Sequence, residues 1–212
     1  MNRNRMYLAF ALAAGALVLR TTPTSAQTGP EETQKFLKTV EATVKAIGES
    51  RAQLQKAVGT YNSIVEMAAP DLKTAYRDLG RDISESEKKV AVGRPKVEEM
   101  NNASNAYFAA RNASVQAITD PDLRKRSEER LNAAYEQFQK ISTAGKDTRQ
   151  LFDTLMTDAK NQSTFLGHDL NASAIASLKP DAAKFNARAA EVFAKVDDVT
   201  RMFDEYIASL KP

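Results

Sequence analysis

Apolar residues recur along this chain at alternating spacings of three and four, with charged and amide side chains between them. That is the heptad rule, the mark of helices that pack against each other along their length. Four such segments can be traced. The first carries Leu37, Val40, Val44, Ile47, Leu54, Val58, Tyr61 and Val65, interrupted by Arg51. The second carries Leu72, Tyr76, Leu79, Ile83, Val90, Val97, Met100, Tyr107 and Ile118. The third carries Leu131, Ala134, Phe138, Ile141, Phe152, Leu155, Ala159 and Leu166. The fourth runs from Ile175 and Leu178 through Ala182, Phe185, Ala189, Val192, Val196, Val199, Phe203 and Tyr206 to Leu210. Strand-like alternation is nearly absent. The pattern predicts an all-α protein with helices over 31–68, 71–118, 121–170 and 172–210, the last bent at 180.

The breaks are short. Ala69-Pro70-Asp71 ends the first helix, and Thr119-Asp120-Pro121-Asp122 separates the second from the third. Asp120 can cap the new helix, and Pro121 suits its first turn, where a missing N–H costs nothing. Short connections make neighbours antiparallel. The expected architecture is an elongated, antiparallel, up-down-up-down four-helix bundle or coiled coil, roughly 60 Å long at about 1.5 Å per residue. Matching heights across the turns sets position 37 beside 102 and position 210 beside 132. Residues 110–131 should then project as a two-helix tip. Pro95, next to Gly93, predicts a kink in the second helix. Small and polar seam positions (Ser86, Gly93, Ser104, Arg111 and Ser114) make that helix an imperfect packer.

The N-terminus reads differently. Arg3 and Arg5 precede an apolar run from Met6 to Leu19, and Thr24 and Ala26 are small residues placed for a cut after Ala26. This predicts a signal peptide over 1–26 and a single helical-bundle domain over 27–212. A membrane anchor is the alternative, but the run is well short of the roughly 20 residues a span needs. No cysteine exists to carry a lipid or a disulfide. Removing residues 1–26 also changes the charge picture. They hold three of the 30 basic residues and no acid, which leaves 27 bases against 27 acids. The basic balance belongs to the targeting segment, and the electrostatic footprint of a nucleic-acid binder is missing.

Candidate chemistry is sparse. His168 is the only histidine, and with no cysteine it cannot assemble a zinc site; its neighbour Asp169 points about 100° away on a helix. A histidine near a helix C-terminus complements the dipole, which is its structural reading. The run DPDLRKRSEER (Asp120–Arg130) balances four cations with four anions. Glu128 and Glu129 lie at ion-pair spacing from Arg124, Lys125 and Arg126. A solvated face is the expected reading, with a polar docking tip anchored by Tyr107, Phe108 and Tyr135 as its rival. Asn-x-Ser triplets start at Asn102, Asn112, Asn161 and Asn171. No phosphate loop, dinucleotide fingerprint, haem-attachment motif or Glu-x-x-His pair for iron occurs. No catalytic residue, cofactor or metal is expected.

The stretch FLGHDLNASAIASL, Phe165–Leu178, resembles the signature of a bacterial family known as domain of unknown function number 2959. Its members carry Phe-Leu-x-His-Asn-Leu-Asn-Ala-x-Ala-Ile-Ala-Ser-Leu near the C-terminus; Asp169 here replaces an asparagine. DLKTAYRDLGRDISESEKKV (Asp71–Val90) and DLRKRSEERL (Asp122–Leu131) are weaker likenesses in the same order. The resemblance implies a bacterial, exported, coiled-coil-rich bundle and lends no activity. Many members are lipoproteins, from which this chain departs in lacking cysteine. The seam keeps its phase back through Ile175, so the stretch is expected to be a structural corner. There His168 ends one helix, Asn171 caps the next, and Ile175 and Leu178 close the core.

The expected role is that of an exported, non-enzymatic helical bundle, periplasmic or secreted. It would act as a structural or interaction module in the bacterial cell envelope, with an envelope protein as partner. The alternative is a chaperone-like protein that holds lipid or apolar clients. Homo-oligomers are compatible with either; nucleic acid and a stable membrane span after signal removal are not expected.

Overall fold

The computed structural model describes residues 28–211 apart from Ala68. The predicted signal peptide and the cut after Ala26 lie outside the described residues. Within them the protein is a helical bundle: α1 (Thr28–Val65), α2 (Leu72–Gln116), α3 (Pro121–His168), α4 (Ala172–Ser177) and α5 (Lys179–Leu210). Among the described residues no strand forms, and no helix is long and apolar enough to cross a membrane.

Side chains set the boundaries. Asp71 caps α2 by accepting from the amides of Lys73 and Thr74 at 3.0 and 3.3 Å, and from the Thr74 hydroxyl at 2.6 Å. Asp120 caps α3 through the Leu123 amide at 2.8 Å, with Pro121 in the first turn. These bonds satisfy amides that no carbonyl of the helix can reach. Beyond the end of α1, Met67 takes a left-handed backbone, φ 54°, which is strained for a residue with a side chain. Pro95 lies inside α2, which continues through it.

The C-terminal helix differs from the sequence expectation. In place of one helix over 172–210 bent at 180, there are two, α4 and α5, joined at Leu178. Pro180 has no N–H for the carbonyl four residues back, and its ring crowds that carbonyl. The chain tightens one turn earlier: the Leu178 amide bonds to Ile175, and the regular ladder resumes when Ala182 bonds to Leu178.

α1 lies along α2 and α5, and α3 lies along the same two helices. Phe36 near the start of α1 meets Tyr107 of α2 and Tyr206 of α5, while Tyr61 near its end meets Phe185 of α5. The buried face of α1 runs Phe36, Val40, Thr43, Ser50, Leu54, Ala57, Tyr61 and Ile64. This corrects the predicted seam. Phe36 is the fully buried residue, with Leu37 half-buried against the same cluster, and Ile64 joins Val65. The true stripe passes through Thr43 and Ser50, so hydrophobicity alone drifts off it. Val97, assigned to the α2 seam, is 39% exposed.

The core divides in two. One cluster joins the end of α1, the start of α2, the last turns of α3, α4 and the first half of α5, with Tyr61, Leu79, Leu155, Leu166 and Ile175 among its members. The other is aromatic. Phe36 stacks on Tyr107 at 5.0 Å and meets Phe138 edge-on at 5.5 Å, with Phe108 and Tyr206 completing the group. The offset and edge-on geometries are those that aromatic quadrupoles favour.

Candidate functional site

Between the two clusters the bundle is not filled. A cavity of about 600 Å³ lies at the level of Ser50 in α1, Gly93 in α2, Gly145 and Thr148 in α3, and Val196 in α5. Its origin is visible in the heptads. α5 presents an unbroken apolar stripe, but at this height the other three helices place Thr43 and Ser50, Gly93, and Gly145 and Thr148 where large apolar side chains belong. A Cβ added to Gly145 would meet no atom within 4 Å, and one on Gly93 would come only to 3.7 Å from the Ala46 side chain.

The wall is apolar in effect. Thr43, Ser50 and Thr148 turn their hydroxyls onto the carbonyls of Thr39, Ala46 and Ala144, at 2.9, 2.9 and 2.8 Å. Thr43 also lies 3.0 Å from the Lys96 carbonyl. With their donors used on backbone, these residues show methyl and methylene groups to the cavity, beside Ile47, Val90, Ile141, Phe152 and Phe203. The exposed lining residues all belong to α2 and α3, so the mouth lies between those helices. Its lips carry Arg94 and Glu98 on one side and Lys146, Arg149 and Asp153 on the other. Arg94 and Arg149 both reach Asp153, at 3.9 and 3.7 Å. A second depression of about 470 Å³ lies outside the mouth, but its lining comes from α3 alone and it encloses nothing.

The cavity is open to solvent along its α2–α3 side.

One wall is pinned by a charge pair that sequence periodicity flagged only as an interruption. Arg51 donates from Nη2 to Asp197 of α5 at 2.8 Å, with Nε 2.7 Å from the other carboxylate oxygen but not aligned to donate, and its guanidinium lies 5.2 Å from the centre of the Phe193 ring. A second polar contact was not anticipated. Asp82 is 1% exposed, accepting from Lys56 at 2.8 Å and Thr60 at 2.9 Å, while Gln53 and Ser86 donate to its carbonyl. It clamps α1 to α2 on the side of the bundle where Ser86 leaves room for it. Tyr61 donates to Gln162 at 3.0 Å, and burial followed by the nearby charge of Asp181 pushes its phenol up to about 12. Burial, then Tyr107, raises Tyr206 further still.

The residues singled out from sequence meet at the bottom of the bundle. His168 is the exposed last residue of α3; Asn171 caps α4, its side chain accepting from the Ala174 amide at 2.9 Å; Ile175 and Leu178 are buried in the first core cluster. Leu166 of the same stretch is fully buried. Among the described residues no three acids or histidines group as a metal site. Near Asp120–Arg130, the ion pairs expected of Glu128 and Glu129 do not form. Glu128 instead accepts from Gln116 of α2, and Arg124 donates to the Ile118 carbonyl. Tyr107 and Phe108 are core, while Tyr135 is half-exposed, edge-on to Phe108 at 5.0 Å.

The molecule is thus an all-helical bundle with a largely apolar cavity at its waist. It belongs to the family described as protein of unknown function (DUF2959), whose model matches residues 24–210, in keeping with the resemblance carried by Phe165–Leu178. No curated protein and no solved structure matches the chain.

Proposed function

We propose that the protein is an exported, non-enzymatic component of the bacterial cell envelope, built as an elongated up-down-up-down four-helix bundle. We further propose that it works by holding an apolar client. The single supporting observation is the cavity: a space within the roughly 300–1,000 Å³ range of ligand pockets, walled by aliphatic and aromatic groups and open on one side. The test is to isolate the protein from its native envelope under non-denaturing conditions, extract it with organic solvent and weigh what it releases. Stoichiometric recovery of an apolar small molecule is the expected result; none recovered, and none taken up on exposure to envelope lipids, would sink the reading. Intact mass of the exported chain tests the targeting: it should begin at Gln27.

Docking to an envelope protein is the second reading. It draws on the half-exposed Leu123 in the first turn of α3 and the half-exposed Tyr135 farther along that helix. Co-isolation of one stoichiometric protein, lost in Tyr135→Ala, would favour it.

A further inference from the structure

We infer that the client is a long-chain carboxylate, its acyl chain in the waist cavity and its head group at the lip formed by Lys146, Arg149 and Arg94. This rests on the holding role proposed above and adds the chemistry and orientation of the occupant.

The interior suits an apolar chain better than a polar ligand. The hydroxyls of Thr43, Ser50 and Thr148 donate to helix carbonyls, which leaves Ser142, Asn101 and Arg51 as the polar lining groups inside the charged lip, too few to replace the hydration of a sugar, nucleotide or peptide backbone. An unbranched chain needs no partner and can follow a space bounded by Ile47, Val90, Ile141, Phe152 and Phe203.

The lip selects the head. Three cations, Arg94, Lys146 and Arg149, face two carboxylates, Glu98 and Asp153. Asp153 is shared by both arginines at distances too long for firm hydrogen bonds. Lys146 has no ion-pair or hydrogen-bond partner among the described residues, and it stands one residue from Gly145, where the space begins. An incoming carboxylate gains Lys146 directly and competes with Asp153 for the arginines. Because these side chains are exposed, the charged head stays wet while only the chain is buried. A cationic head would meet the wrong excess of charge.

The experiment titrates the purified protein with cis-parinaric acid, reading its fluorescence, alongside its alcohol analogue, a lysophosphatidic acid and an alkyl trimethylammonium. The acid should bind most tightly. Gly145→Leu fills open space and replaces a poor helix former with a good one, so it should abolish binding without lowering the Tm; Thr148→Leu serves as a second filling variant. Lys146→Glu with Arg149→Glu should weaken the acid at least tenfold and leave the alcohol unchanged. Equal binding of acid and alcohol, indifferent to charge reversal, would overturn the head-group assignment and leave the holding role standing. Preference for the trimethylammonium or for the lysophosphatidic acid would overturn the carboxylate in the same way. Binding that survives both filling variants would overturn the location. No binding of any probe would remove both proposals.

Discussion

Gly167 of α3 and Tyr76 of α2 approach so closely that a Cβ on the glycine would meet the tyrosine hydroxyl and lie 3.2 Å from the ring carbon that bears it. The glycine therefore leaves room for the end of the half-buried Tyr76 side chain, one residue before His168. Gly167→Ala should lose about 1–2 kcal/mol, overpacking outweighing the gain in helix propensity. Tyr76→Phe removes the clashing oxygen, so the double variant should recover most of that loss. Urea melts of the four proteins give the coupling; simple additivity would mean that the contact does not govern this position.

At the same corner, Ile175→Asp should cost several kcal/mol, because it buries an unpaired carboxylate where the isoleucine is fully enclosed. His168→Ala should cost about 1 kcal/mol or less, since the imidazole is exposed and only complements the end of α3. Thermal melts of both variants decide this. Comparable losses would show that His168 carries a role its position does not explain.

Alkaline stability follows from Tyr61. Its phenol ionises near 10 when unfolded and near 12 in the bundle, so folding favours the neutral form. That contribution is complete below pH 10 and drains away as pH climbs from 10 through 12. Tyr61→Phe should be about 1 kcal/mol less stable at neutral pH, having lost the bond to Gln162. Its stability should then fall less steeply than the parent's over that window. Parallel slopes in denaturant titrations at pH 9, 10 and 11 would count against the assignment.

The Lys56–Asp82 clamp should show strong non-additivity. Lys56→Met leaves a carboxylate buried with its main cation gone, for a loss of about 2–3 kcal/mol. Asp82→Leu alone should cost less, because Lys56 is largely exposed and can return to water. The double variant should recover part of the Lys56→Met loss, since no charge is then left buried, while the larger leucine and the orphaned Thr60 hydroxyl keep it below the parent. Equilibrium unfolding of the three variants tests the order.

Helix α5 was readable from sequence almost residue by residue, because from Ala182 to Tyr206 every buried seam position is apolar. α1 was not. Thr43 and Ser50 occupy two of its buried positions, so tracing only apolar residues slid the predicted stripe onto Leu37 and Val44. The same substitutions hid the cavity. Gly93 reads as a kink element and as one of several small positions that loosen the packing of α2, and Gly145 as nothing; only packing reveals that they stand at one height with Ser50 and Thr148. Asp82 escaped notice because it neighbours Ile83 on the seam edge and its partners lie more than 20 residues away in sequence. The corner was legible because its cap, its buried leucines and its sole histidine form one local word.

The division of the core into two clusters has a mechanical corollary. Each end of the bundle is a stiff block, one aliphatic and one largely aromatic, and the span between them is thinly packed on the α2–α3 side. A twist of one block against the other would fall on that span, where fewer contacts stand to be broken than in either interlock.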